Sequence, residues 1–116
     1  MNIDANAEQI ISAISQLISD AHTTAIEHGW WDRPREFPEE VALMHSELSE
    51  ALEFFRHDNP PSDHIPMFSG MEEELADVLI RVFDTCGKYQ FDLAGALLAK
   101  MKFNDNRPYK HGGKKC

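Results

Sequence analysis

Apolar residues recur along the chain at helical spacing in four blocks, with no β-hairpin signal, internal repeat or low-complexity run between them. The first block runs from about Asp4 to His28. Ile10, Ile11, Ile14, Leu17, Ile18, Ala21 and Ala25 mark one face of an amphipathic helix. Asp4 or Asn6 suits its N-cap and Gly29 its stop. A second helix is predicted from Pro38, where proline fits the first helical turn and Glu39 and Glu40 suit the positive end of the dipole. Its stripe is Val41, Met44, Leu48, Leu52 and Phe55, and it stops before Asp58-Asn59-Pro60-Pro61. The connection up to Gly70 is long for a helical protein, which makes it a candidate lid. Ser69 and Glu72 form an S-x-x-E capping box at the start of a third helix. Leu75, Val78, Leu79, Val82, Phe83 and Cys86 line that helix, and Gly87 is its expected terminator. A fourth begins around Asp92, carries Leu93, Ala96, Leu97 and Met101, and ends before Pro108. The pattern predicts an all-α chain of about four helices, one domain over residues 1–116, with a basic tail from about 109 to 116. The stripes on the second and third helices are wider than one short chain covers. A helix bundle completed by oligomerisation, as a homodimer or tetramer, is the expectation.

Charge changes this picture. The 116 residues carry a formal net charge of −9, unevenly placed. Residues 100–116 hold six basic side chains against one acid, or +5, whereas the first 99 residues hold five against 19, or −14. Phosphate backbones demand a basic face, so an acidic body excludes a protein that coats nucleic-acid polymers. A small phosphate ligand that arrives with a metal ion stays compatible. No apolar run reaches membrane-spanning length and no secretory leader is visible, so a cytoplasmic protein with no membrane partner is expected. Cys86 and Cys116 make no disulfide framework, and Cys86 reads as core packing.

Some of the acids stand where helix stability alone would not put them. At 100° per residue, Glu47 falls between Phe54 and Ala51, and Glu50 beside Leu43. The Glu47-x-x-Glu50 spacing aims both carboxylates the same way, at the edge of the apolar face. Glu74-x-x-Asp77 repeats the device on the third helix, between Val78 and Ile80; Glu73 competes with Glu74 for that place. If the two helices pack antiparallel, four carboxylates converge. Like charges about 4 Å apart repel by about 4 kcal/mol at an effective dielectric of 20, so such a cluster calls for a counter-ion. A hard divalent cation, Mg²⁺ first, needs this oxygen-rich surrounding. One E-x-x-E pair alone is more often a solvated face; two pairs on consecutive helices carry more weight. A di-iron carboxylate bundle requires Glu-x-x-His, and no histidine here has Glu three residues before it.

Lys100, Asn104 and Arg107 share a face near the end of the fourth helix and are candidate phosphate ligands, lysine as a point charge and arginine as a fork. Solvated charges that complement the helix dipole are the plainer reading of each taken singly. Trp30 and Trp31, in the first connection, are candidate base-stacking residues, with core packing as the alternative for either. His28 and His45 are weaker candidates for base or phosphate contacts.

Together these segments resemble the MazG-like family of all-α nucleoside triphosphate pyrophosphohydrolases. The resemblance runs through Gly29-Trp30-Trp31-Asp32, His45-Ser46-Glu47-Leu48-Ser49-Glu50-Ala51-Leu52-Glu53, Glu73-Glu74-Leu75-Ala76-Asp77-Val78-Leu79-Ile80-Arg81, and the stretch from Lys100 to Gly112. The family pattern is E-x-x-E, a spacer, then E-x-x-D; here 23 residues separate Glu50 from Glu74. The resemblance implies an enzyme that cleaves a nucleoside triphosphate between its α and β phosphates to a monophosphate and pyrophosphate. It implies Mg²⁺, or Mn²⁺ in its place, held by Glu47, Glu50, Glu74 and Asp77. Lys100, Asn104 and Arg107 would grip phosphates, and dimers or tetramers would carry sites at subunit contacts. Some relatives have an extra acid directly before the first motif glutamate; Ser46 stands there in this chain. A non-catalytic helical module that binds a nucleotide or a protein through its acidic face is the alternative. Within the enzyme class, a phosphoribosylated nucleotide is a further substrate class.

Overall fold

The computed structural model describes residues 2–109. The basic tail, apart from Tyr109, and Cys116 with it, lie outside the described residues. Four helices follow in order: α1 (Ala7–Glu27), α2 (Phe37–Arg56), α3 (Gly70–Tyr89) and α4 (Leu93–Asp105). Among the described residues there is no strand, only an isolated bridge between Pro61 and Ser69. No described helix is long and apolar enough to cross a membrane. The chain divides into two compact units, one of residues 18–90 and one of the N-terminal segment up to residue 17 with the segment from residue 91 onward.

Helix ends follow local chemistry. Gly29 closes α1 in the left-handed region at φ 80°, and the Trp30 amide donates back to the Ala25 carbonyl at 3.0 Å. Pro38 sits in the first turn of α2. Past Arg56 the chain turns through left-handed Asp58 and Asn59, residue types that tolerate that conformation. The Asn59 amide then reaches the Phe54 carbonyl at 2.7 Å. The capping box of α3 is complete, with the Ser69 hydroxyl accepting from the Glu72 amide and the Glu72 carboxylate accepting from the Ser69 amide. Asp92 caps α4 by accepting from the Gly95 amide at 2.9 Å.

The connection from α2 to α3, expected as a lid, is tied down at several points. The Ser62 amide donates to the Phe68 carbonyl and the Gly70 amide to the Pro60 carbonyl, both at 2.8 Å. The buried Ser62 hydroxyl accepts from the amides of His64 and Ile65. Gly87 does not end α3. The helix runs on to Tyr89 and stops at Gln90, which takes the left-handed conformation at φ 57°. The reason is packing. A Cβ at Gly87 would stand 2.6 Å from Cβ of His22 on α1, so the glycine marks a close approach of two helices and not a terminus.

α2 and α3 lie antiparallel, as their pairings show. Phe54, near the end of α2, meets Gly70 at the start of α3; Glu47 meets Arg81; Glu40, at the start of α2, meets Thr85 near the end of α3. This contact surface is polar. Glu40, Glu47, Glu74, Asp84 and Thr85 are buried, and the buried apolar residues of residues 18–90 are the small Ala25, Ala51 and Cys86. The expected stripes are covered only in part: Cys86 is buried and Val41, Met44, Val78, Val82 and Phe83 are half-buried, whereas Leu48, Leu52, Phe55, Leu75 and Leu79 are exposed.

Candidate metal centre

α2 presents Glu47 and Glu50 one turn apart, and α3 answers with Glu73, Glu74 and Asp77. One carboxylate oxygen from each of Glu47, Glu50 and Glu74 lies within 4.8 Å of the other two. Glu73, Glu74 and Asp77 form a second such trio, so Glu74 belongs to both. The antiparallel packing therefore brings the four expected carboxylates together around Glu74. Glu47 and Glu74 form the buried floor, Asp77 is partly buried, and Glu50 stands exposed at the rim. A cavity of about 480 Å³, lined by Glu50, Glu53, Phe54, His57, Pro60 and Glu74, opens beside them.

The electrostatics are uneven. Burial, together with hydrogen bonding and charge from Glu47 and Glu50, pushes the Glu74 carboxyl up to about 8. Glu47 moves the other way. Burial raises it, but hydrogen bonds from Glu74 and from Arg81, whose Nε donates to Oε1 at 3.0 Å, outweigh that and hold it below its ordinary value. Burial and the Glu47 charge raise Asp77. Glu73 is lowered by the Ser62 hydroxyl and by His64, whose Nδ1 lies 2.7 Å from Oε2. Glu73 thus serves the α2–α3 connection, which leaves Glu74 as the residue that faces α2.

The donor set fits a hard divalent cation. Oxygen ligands surround such ions at about 2.0–2.6 Å, so two ligands of one ion stand no more than about 4–5 Å apart, and the oxygens here, all within 4.8 Å of one another, meet that limit. Glu74 Oε2 is buried and, among the described residues, has no hydrogen-bond partner. An unpaired buried oxygen costs about 1–3 kcal/mol, and a cation at this point would remove that cost. These observations identify an acidic cluster able to hold a metal and do not single out Mg²⁺.

The two tryptophans have different surroundings. Trp31 Nε1 donates to Asp84 Oδ1 at 2.9 Å, its ring meets His22 edge-on, and the Arg35 guanidinium lies 4.4 Å from the ring centre. It is committed to a polar network inside the molecule. Trp30 is 48% exposed and carries the Arg81 guanidinium 5.9 Å from its ring centre. His28 and His45 are exposed. In the other unit, Lys100, Asn104 and Arg107 are exposed; Lys100 and Arg107 both lie over the Phe103 ring, at 4.6 and 5.6 Å.

The sequence reading missed Arg35, Glu40, Arg81 and Asp84. Glu40, read as a dipole partner in the first turn, is only 1% exposed. Arg35 Nε lies 2.8 Å from its Oε1, out of hydrogen-bond alignment, and Thr85 donates to Oε2. Arg35 also approaches Asp84 at 3.8 Å, and His22 Nδ1 lies 2.8 Å from Asp84 Oδ1. A signal for Arg81 was present: it follows Asp77 by four residues and Glu74 by seven, on the same face of α3. Comparison with known protein families, with curated proteins and with solved structures returns no match to this chain.

Proposed function

We propose that this chain is a metal-dependent nucleoside triphosphate pyrophosphohydrolase of the MazG-like type, releasing pyrophosphate and a nucleoside monophosphate. The observation that carries the reading is the convergence of Glu47, Glu50, Glu74 and Asp77 from two antiparallel helices around an unpartnered buried oxygen. The E-x-x-E and E-x-x-D spacing supplies the link to that reaction class. Mg²⁺ is the proposed ion, with Mn²⁺ as substitute. When bound, it would neutralise charge on the phosphates and lower the pKa of the attacking water.

The chain's own residues divide the work. Glu47 and Glu74 hold the ion from the buried side. Glu50 and Glu74 both belong to the cluster and line the 480 Å³ cavity, and the exposure of Glu50 supports giving it the role of orienting a water at the open edge. Arg81 fixes the Glu47 carboxylate. Lys100, Asn104 and Arg107 are the proposed phosphate-binding groups, and Trp30 is the better placed of the two tryptophans for a base, since Trp31 is engaged with Asp84.

The test is pyrophosphate release from a panel of ribo- and deoxynucleoside triphosphates with Mg²⁺ or Mn²⁺. Release by wild type, abolished in Glu50→Gln with helicity unchanged, is the expected result. No release from any substrate, together with no calorimetric binding of Mg²⁺, would assign the fold to a non-catalytic module.

A further inference from the structure

A second cavity, of about 290 Å³, is lined by Trp30, Arg35, Leu43 and Arg81. Three of these four residues carry no role in the sequence reading. Its size lies at the small end for ligand pockets and suits a single flat ring system. Trp30 and Leu43 supply an aromatic and an aliphatic wall. Arg81 is fixed by its Nε to Glu47, and among the described residues its terminal nitrogens make no hydrogen bond. A guanidinium held this way presents a two-pronged donor edge.

Charge decides what that edge reads. Arg81 is paired with Glu47, and Arg35 faces both Glu40 and Asp84. The two guanidiniums are matched by carboxylates, so the cavity has no surplus positive charge for a phosphate chain. It offers donors to a neutral ring. The neutral partner that fits an arginine fork best has two adjacent acceptors, the O6 and N7 of a 6-oxopurine. Adenine places an amino group at position 6, setting donor against donor; uracil has an N–H between its carbonyls, and cytosine, which does pair N3 with O2, brings only a single ring with less surface for the Trp30 wall.

We infer that this cavity is a base-reading subsite for a 6-oxopurine nucleotide, with Arg81 as the residue that sets base preference. The inference rests on the pyrophosphohydrolase reading for its role in turnover, but not for binding. Arg81 also links the cavity to the metal cluster through Glu47.

The experiment is equilibrium binding of 5′-monophosphates by calorimetry and tryptophan fluorescence, with Mg²⁺ and with a chelator. IMP and GMP are expected to bind at least tenfold more tightly than AMP, CMP and UMP, and 7-deaza-GMP to lose most of that advantage. Arg81→Gln should bring IMP and AMP within threefold of each other. Trp30→Ala should weaken both and leave their ratio unchanged. Equal affinity of wild type for IMP and AMP, undiminished binding of 7-deaza-GMP, or no binding of any monophosphate would overturn the inference. If Arg81→Gln does not fold, the 7-deaza comparison on wild type decides. Pyrophosphate release at equal kcat/KM from all triphosphates would overturn the subsite and keep the enzyme. Selective IMP and GMP binding without pyrophosphate release would keep the subsite and overturn the enzyme.

Discussion

A carboxyl pushed up to about 8 keeps its proton through most of the neutral range, so Glu74 without metal is neutral while Glu47 beside it is charged. The raised value fixes the sign of a pH effect. Glu74 contributes stability fully below its ordinary value of 4.5, and that contribution is lost as pH rises towards about 8. Asp77, also raised, acts in the same direction. Glu47 is lowered, so its contribution is lost only as pH falls below the ordinary carboxylate range. The Tm of metal-free protein should therefore decrease between pH 5 and pH 8. Metal competes with the proton on Glu74, so the rise in Tm on adding Mg²⁺ should grow over the same interval. Glu74→Gln keeps the shape and a hydrogen-bond donor but cannot ionise. It should flatten the pH slope, raise the metal-free Tm at pH 8, and abolish the response to Mg²⁺; thermal scans across pH on both proteins check all three. A metal response that survives in the variant would remove Glu74 from the centre.

Between α2 and α3 the contact is made by ions and small residues, with the leucines turned outward. Arg35 is the counter-charge to both Glu40 and Asp84, and removing one partner of a buried ion pair costs about 3–5 kcal/mol. Arg35→Met should show that loss in urea denaturation, while Arg33→Met, which breaks the exposed pair with Glu39, should change stability by less than about 1 kcal/mol. Gly87→Ala sets two effects against each other. Alanine gains about 1 kcal/mol in helix propensity, but its Cβ would lie 2.6 Å from that of His22, and overpacking costs about 1–3 kcal/mol. Net destabilisation is expected, relieved in the His22→Gly background, which removes the clashing Cβ; a stabilised single variant would show that α1 and α3 part easily. These two positions also mark how far the sequence could be read. Helix number, the capping box at Ser69, the start of α4 near Asp92 and the stop at Gly29 follow from local spacing; the meeting of Glu47, Glu50, Glu74 and Asp77 follows from that spacing once antiparallel packing is assumed. Gly87 was misread, and Glu40, an acid of the first turn as expected, was read only in part, because each looks local while its partners lie elsewhere: His22 for one, Thr85 and the preceding Arg35 for the other. Periodicity reports that a face is apolar and not what covers it, so the spacing showed both stripes but not which half of each turns outward.

On the scale of the whole molecule, those outward leucines are the main unbalanced feature. Leu48, Leu52 and Phe55 on α2 and Leu75 and Leu79 on α3 each expose about half or more of their surface, an apolar area that a lone chain leaves in water. Self-association is the proposed cover. A stable interface buries about 1,600 Å² in total, and apolar burial is worth about 25 cal/mol per Å² before association costs are subtracted. Charge opposes it: each copy carries −9, and two such copies repel. Association through apolar contact between like-charged copies should therefore tighten as salt rises, because the repulsion is screened over about 8 Å at physiological ionic strength. An interface built from opposite charges would loosen instead. Sedimentation of wild type at 50 and 500 mM NaCl should show a dimer or tetramer with the lower dissociation constant at high salt. Leu52→Glu and Leu79→Glu, both at exposed positions, should give monomers of unchanged helicity. A wild-type chain that stays monomeric at about 100 μM in both buffers would refute self-association on this face.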